Sequence, residues 1–134
     1  MKKKELIMAA IEKMGYSPEL DHEGDIRFCY QMKNIYVMTE DDEEDPYISM
    51  MLPQFYEFEE GQEALVLAVC NQLTRELKLL KVYIDQTFKN VSATCEFFYA
   101  NEEALEQNLR KFLQMLGVVR TIFRKDLAEL SEDE

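Results

Sequence analysis

Histidine occurs once in this chain of 134 residues, at position 22, and cysteine three times, at positions 29, 70 and 95. Zinc asks for four Cys or His ligands, or three with an open position, usually with two of them close together in sequence. His22 stands seven residues before Cys29 and there is no Cys-x-x-Cys, so the zinc pattern is missing. The same scarcity weakens nucleophilic catalysis, which needs a Ser or Cys beside a base held by a third group. Nothing in the spacing holds His22 against Cys29. The glycines stand singly at 15, 24, 61 and 117, which leaves no loop to cradle a phosphate.

Long apolar runs are also missing. No stretch approaches the roughly 20 apolar residues that cross a bilayer. Met1-Lys2-Lys3-Lys4 imitates the basic start of a signal peptide, but the apolar run behind it lasts only from Leu6 to Ile11 and has no cleavage site. Three widely spaced cysteines in apolar surroundings read as reduced thiols, and the expected location is the cytoplasm. Positive charge is in deficit: 15 Lys and Arg against 27 Asp and Glu give a net charge of −12. Such a chain repels a phosphate backbone, so neither nucleic acid nor an anionic membrane is expected as a partner.

What is present suits a conventional core, since 47% of the residues are apolar. The length predicts one domain over 1–134, with a frayed acidic tail from 128. Leu6, Ile7, Ala10, Ile11 and Met14 recur at helical spacing, with Lys3, Lys4, Glu12 and Lys13 opposite, and Gly15 closes this first helix. From Ile26 the period becomes two. Three strands are predicted, Ile26 to Met32, Ile35 to Thr39 and Tyr47 to Leu52, with Lys33-Asn34 as a tight connection and Pro53 marking the end or an edge.

A second helix is expected over Glu59 to Leu80, apolar over more than half its circumference from Ala64 to Cys70 and so buried on two sides. Strands Lys81 to Thr87 and Val91 to Tyr99 make a second hairpin through Phe88-Lys89-Asn90. Asn101 caps a final long helix with Glu102 and Glu103 in its first turn and a stripe of Leu105, Leu109, Phe112, Leu113, Leu116, Val119, Phe123 and Leu127. The order α-β-β-β-α-β-β-α implies an α+β fold with an antiparallel sheet packed against helices.

The segments Leu73-Thr74-Arg75-Glu76-Leu77, Lys81-Val82-Tyr83-Ile84-Asp85, Thr94-Cys95-Glu96-Phe97-Phe98 and Asn101-Glu102-Glu103-Ala104-Leu105 carry a layout that resembles the type III secretion chaperone-like fold and, within it, the YbjN-type family. The resemblance implies a non-enzymatic role: secretion chaperones hold an extended effector segment, and YbjN-type proteins are linked to signalling or stress regulation.

The acidic run Glu40 to Asp45 fails the EF-hand pattern for Ca²⁺, with no Gly at the sixth position and no Glu at the twelfth. It reads as a solvated loop or as a docking site for a basic partner. No cofactor or catalytic residue is expected. If Ile26, Phe28, Ile35, Val37, Ile48, Met50, Leu52, Val82, Ile84, Ala93, Cys95 and Phe97 face the helices, the far face carries Tyr36, Met38, Tyr47, Met51, Tyr83 and Phe98, with Cys29 beside them. Tyr and Met suit adaptable contacts. The expected function is therefore a non-catalytic module, chaperone-like or adaptor-like, that binds another protein or peptide, or a second copy of itself, through this face or a sheet edge. The second helix or a second copy covering the face is one alternative. A small-molecule sensor with its ligand in the groove between sheet and helices is another.

Overall fold

In the computed structural model the described residues are 2–38 and 44–132. Most of the acidic run, residues 40–43, therefore lies outside them. The helices are α1 (Lys3–Lys13), α2 (Glu63–Glu76) and α3 (Glu102–Glu132), and the strands are β1 (Glu19–Leu20), β2 (Ile26–Tyr30), β3 (Lys33–Met38), β4 (Tyr47–Glu57), β5 (Leu80–Ile84) and β6 (Asn90–Phe98). All six strands form one antiparallel sheet in the order β1-β2-β3-β4-β6-β5. The α+β architecture and the predicted order hold, with β1 as a two-residue addition.

Strict alternation delivers the core. Ile26, Phe28, Ile35, Val37, Ile48, Met50, Leu52, Val82, Ala93, Cys95 and Phe97 are buried together with stripes from all three helices, Ile7 and Ile11, Val66, Val69 and Leu73, and the predicted stripe of α3. Ile84, predicted inward, is only half-buried. Phe112 stacks on Phe97 at 4.9 Å and Phe123 meets the edge of Phe55 at 5.5 Å, which seats α3 across β6 and β4. Asn101 caps α3 as predicted, its Oδ1 accepting from the Ala104 N–H at 2.8 Å. The helix runs on to Glu132, so residues 128–132 are helical where a frayed tail was expected.

Four local expectations change. Lys3 is buried rather than exposed, and its Nζ donates to the carbonyls of Asp45 and Tyr47, pinning the start of α1 to the start of β4. The turn of the first hairpin is Gln31-Met32, both at positive φ (49° and 66°), so Lys33 and Asn34 belong to β3. Non-glycine residues seldom adopt that conformation, and the sequence carries no signal for it there. Helix α2 is shorter than predicted because Leu77 turns extended and Leu79 takes φ 59°, which sends Leu80 into β5. It is buried on one side only: Leu67 is 55% exposed.

The fourth change is at Pro53, which does not end β4. Partners run to Leu52–Ala93 and resume at Tyr56–Val91, so Pro53, Gln54 and Phe55 stand opposite Ser92 alone. The Gln54 N–H, at φ 47°, donates to Ser92 Oγ at 2.9 Å. This bulge bends β4 so that Phe55 and Phe58 both enter the core. Proline does terminate the ladder on the other side, where β3 and β4 are paired only as far as Tyr36–Met51.

Candidate functional site

The face of the sheet opposite the helices collects the residues singled out from the sequence. Register places Tyr36 directly opposite Met51, Met38 opposite Ser49, and Tyr47 opposite Phe98. Two clusters result. In the first, Tyr83 Oη lies 2.6 Å from Thr94 Oγ1 and 3.8 Å from Met51 Sδ, so the Tyr83 side chain reaches diagonally across β6 to join Met51 and Tyr36. In the second, the rings of Tyr47 and Phe98 pack at 5.6 Å, and Met38 lies one strand away.

Glu96 sits between the clusters. The Lys81 ammonium and the Tyr47 hydroxyl both donate to it, and Lys81 beside it, then Tyr47, hold its carboxyl below the usual carboxylate range against the opposing effect of burial. The face is therefore amphipathic, with aromatic and thioether patches on either side of a neutralised ion pair. Phe98 is 69% exposed, whereas Tyr36, Met38, Tyr47, Met51 and Tyr83 are half-buried by one another. Among the described residues all three helices contribute their buried stripes to the other side of the sheet, so α2 does not cover this face.

The β5 edge of the sheet is less open than the face. On β5 the Thr74 hydroxyl accepts from the Val82 N–H at 2.9 Å and donates to the Val82 carbonyl at 3.1 Å. One side chain of α2 thus satisfies the outward pair that an added strand would need, a known way of blunting an edge. Beside it lies a groove that periodicity did not reveal, about 580 Å³ between α2 and β5, lined by Phe58, Leu67, Cys70, Val82, Ile84 and Phe88 among others. Phe88, at φ 60° in the β5–β6 loop, is 78% exposed at its mouth. Only contact between a helix and a strand edge creates this groove, and the sole sequence signal was Leu67 within an over-wide apolar arc.

The thiols divide by burial. Burial pushes Cys70 up to about 11, and burial with the neighbouring Glu96 charge pushes Cys95 up to about 12, so both are protonated and unreactive at neutral pH. Cys29 is exposed on the far face. His22 is exposed too, 3.8 Å from Glu23. Asp85, buried at the start of the β5–β6 loop, is desolvated, which raises its pKa. Hydrogen bonds from the Thr87 hydroxyl, the Gln54 amide and the Thr87 N–H outweigh this and hold it below its ordinary value. These groups brace the loop and the bulge; they do not converge on a reacting atom.

A two-layer α+β sandwich with one bare, Tyr- and Met-rich sheet face and no assembled catalytic constellation among the described residues has the form of a binding module. Residues 2–130 match the family of T3SS (YopN, CesT) and YbjN peptide-binding chaperones, and the chain belongs to that family. The fold is similar to that of YbjN from E. coli, with a TM-score of 0.64 over 95% of this chain and 93% of that one at 11% identity. No curated protein matches the sequence. No helix among the described residues is long and apolar enough to cross a membrane.

Proposed function

We propose that the chain is a non-catalytic chaperone-like or adaptor module that holds an extended segment of another protein on the sheet face formed by Tyr36, Met38, Tyr47, Met51, Tyr83 and Phe98. The observation carrying this reading is that these side chains, on four different strands, are brought onto one face that no described helix covers. Membership of a peptide-binding family supports it. The face is favoured over the β5 edge because Thr74 already occupies the main-chain groups of Val82. The whole chain acts as one domain in the cytoplasm, and its charge of −12 argues against nucleic acid and anionic membrane as partners.

The test compares the wild type with the Tyr36→Asp, Met38→Asp double variant, both shown to be folded by circular dichroism. Each is used for capture from native cytosol, and the segment of any recovered protein is mapped with synthetic peptides. A segment bound by the wild type and lost in the variant is the expected result; equal binding by both refutes the assignment of the face. Sedimentation of the two proteins reports in parallel whether a second copy of the chain occupies the face.

The α2–β5 groove favours a second reading, a regulatory domain that senses a small apolar molecule. Its volume of about 580 Å³ lies within the range of ligand sites, roughly 300 to 1,000 Å³. Ligand-dependent thermal stabilisation, abolished by Leu67→Glu, is the outcome that reading requires.

A further inference from the structure

Where β3 and β4 part company beyond Tyr36–Met51, the sheet opens into a cleft of about 320 Å³. Lys33, Asn34 and Tyr36 line one side, Pro53 and Phe55 the other, and Arg120 of α3 closes it from the helix layer. No acidic residue lines it, in a chain with 27 of them. Arg120 lies in a segment of α3, Gln107 to Lys125, that contains Arg110, Lys111, Arg120, Arg124 and Lys125 and no Asp or Glu. Among the described residues neither cation has a carboxylate partner; Lys33 Nζ reaches only the Gln31 carbonyl, at 3.3 Å.

The backbone of the cleft is equally incomplete. Thr74 bonds the N–H and C=O of Val82, so these point away from β6, and the alternation of an antiparallel ladder carries that parity across the sheet. Tyr36 and Met38 then bond toward β4, and so would Asn34. Its counterpart in continued register is Pro53, which has no N–H to give. The Asn34 carbonyl therefore has no ladder donor at this point.

We propose that this cleft is a carboxylate pocket belonging to the peptide site, with Lys33 and Arg120 holding the anion and Asn34 beside them in its lining. The inference rests on the proposed peptide-binding face, with which the cleft shares Tyr36. A segment crossing Tyr36 and Met51 passes over the opening and delivers a carboxylate into it, either from an acidic side chain or from a free C-terminus. The planar guanidinium of Arg120 suits a carboxylate bidentately. The interaction weakens with salt.

The test uses four probes on the ¹⁵N-labelled full chain. One is an extended Val/Thr-rich peptide, acetylated, amidated and carrying a single Gln; the second has Glu in place of that Gln; the third keeps Gln but has a free C-terminus. The fourth is N-acetylglutamate α-amide. An acidic peptide is expected to bind about tenfold more tightly than the neutral one, as charge-assisted hydrogen bonds imply. It should shift the Asn34 amide and the Arg120 Nε–H, and lose its advantage in Lys33→Gln, Arg120→Gln. Whichever acidic peptide gains identifies the source of the carboxylate. If all three peptides bind equally and shift Tyr36 and Met51 alone, the pocket is refuted and the face stands. If only N-acetylglutamate amide registers, at Asn34 and Arg120, the pocket stands and the face is refuted. Silence from all four refutes both.

Discussion

Gly117 is the point where the first hairpin rests on α3, and its replacement by alanine tests how the cleft is held open. In an ordinary helix the change stabilises by about 1 kcal/mol, because glycine loses more backbone freedom on folding. Here a Cβ at position 117 would lie 2.7 Å from Tyr30 Cε2 and 3.3 Å from Gln31 Oε1. Tyr30 is buried, and its ring meets the edge of Tyr16 at 5.5 Å, with Tyr16 in turn at 5.8 Å from Phe28. The ring has nowhere to retreat without moving the hairpin. Overpacking of this kind costs roughly 1 to 3 kcal/mol, so Gly117→Ala should be net destabilising by about 1 kcal/mol. For a chain of this size that lowers Tm by about 4 °C.

The decisive comparison repeats the substitution in a Tyr30→Leu background. With the ring gone, Gly117→Ala should recover its intrinsic helix preference and stabilise by about 1 kcal/mol, a coupling of about 2 kcal/mol in the double-mutant cycle. Urea and thermal unfolding of the four proteins supply the numbers. A stabilising effect of equal size in both backgrounds would show that the contact is not under compression and would refute the reasoning. The Lys33 and Asn34 amides should also shift in Gly117→Ala alone, since displacement of Tyr30 moves the strand that lines the cleft.

Thr74→Val keeps the shape but strips both hydrogen bonds from Val82; a loss of about 1 to 2 kcal/mol in urea unfolding is expected. The freed edge should also cause concentration-dependent self-association by light scattering, with Thr74→Ser behaving as wild type. Asp85 makes the acid limb of stability predictable. Its folded-state carboxyl lies below the ordinary value of 3.8, so its contribution is complete above that pH and disappears as pH falls through the depressed value. Asp85→Asn should therefore be less stable at neutral pH yet lose less stability on acidification below pH 4, and parallel curves for the two proteins would contradict the assigned hydrogen bonds.

Period-two alternation from Ile26 onward and the helical stripes of α1 and α3 were legible in the sequence because each reflects burial of one side of one element. The capping of α3 by Asn101 was legible for a related reason: cap, acidic first turn and apolar stripe lie within a few residues of one another. The same alternation placed Tyr36, Met38, Tyr47, Met51, Tyr83 and Phe98 on one face, as the ladder registers have it. The departures were of another kind. Gln31, Met32 and Gln54 take positive φ without being glycine, so the hairpin turn and the bulge after Pro53 had no residue signal. They exist because neighbouring strands and α3 hold them there.

By itself, then, the sequence determined the order of the main elements, most of the inward set of the strands and of α3, and the absence of the common metal and phosphate motifs, since all of these follow from local period and composition. Only the tertiary structure decided which helices leave a sheet face bare, that Thr74 closes the β5 edge, and that Lys33 and Arg120, 87 positions apart in sequence, line one cleft. Those facts depend on how distant elements cross, and crossing is settled by packing of the whole core rather than by any segment within it.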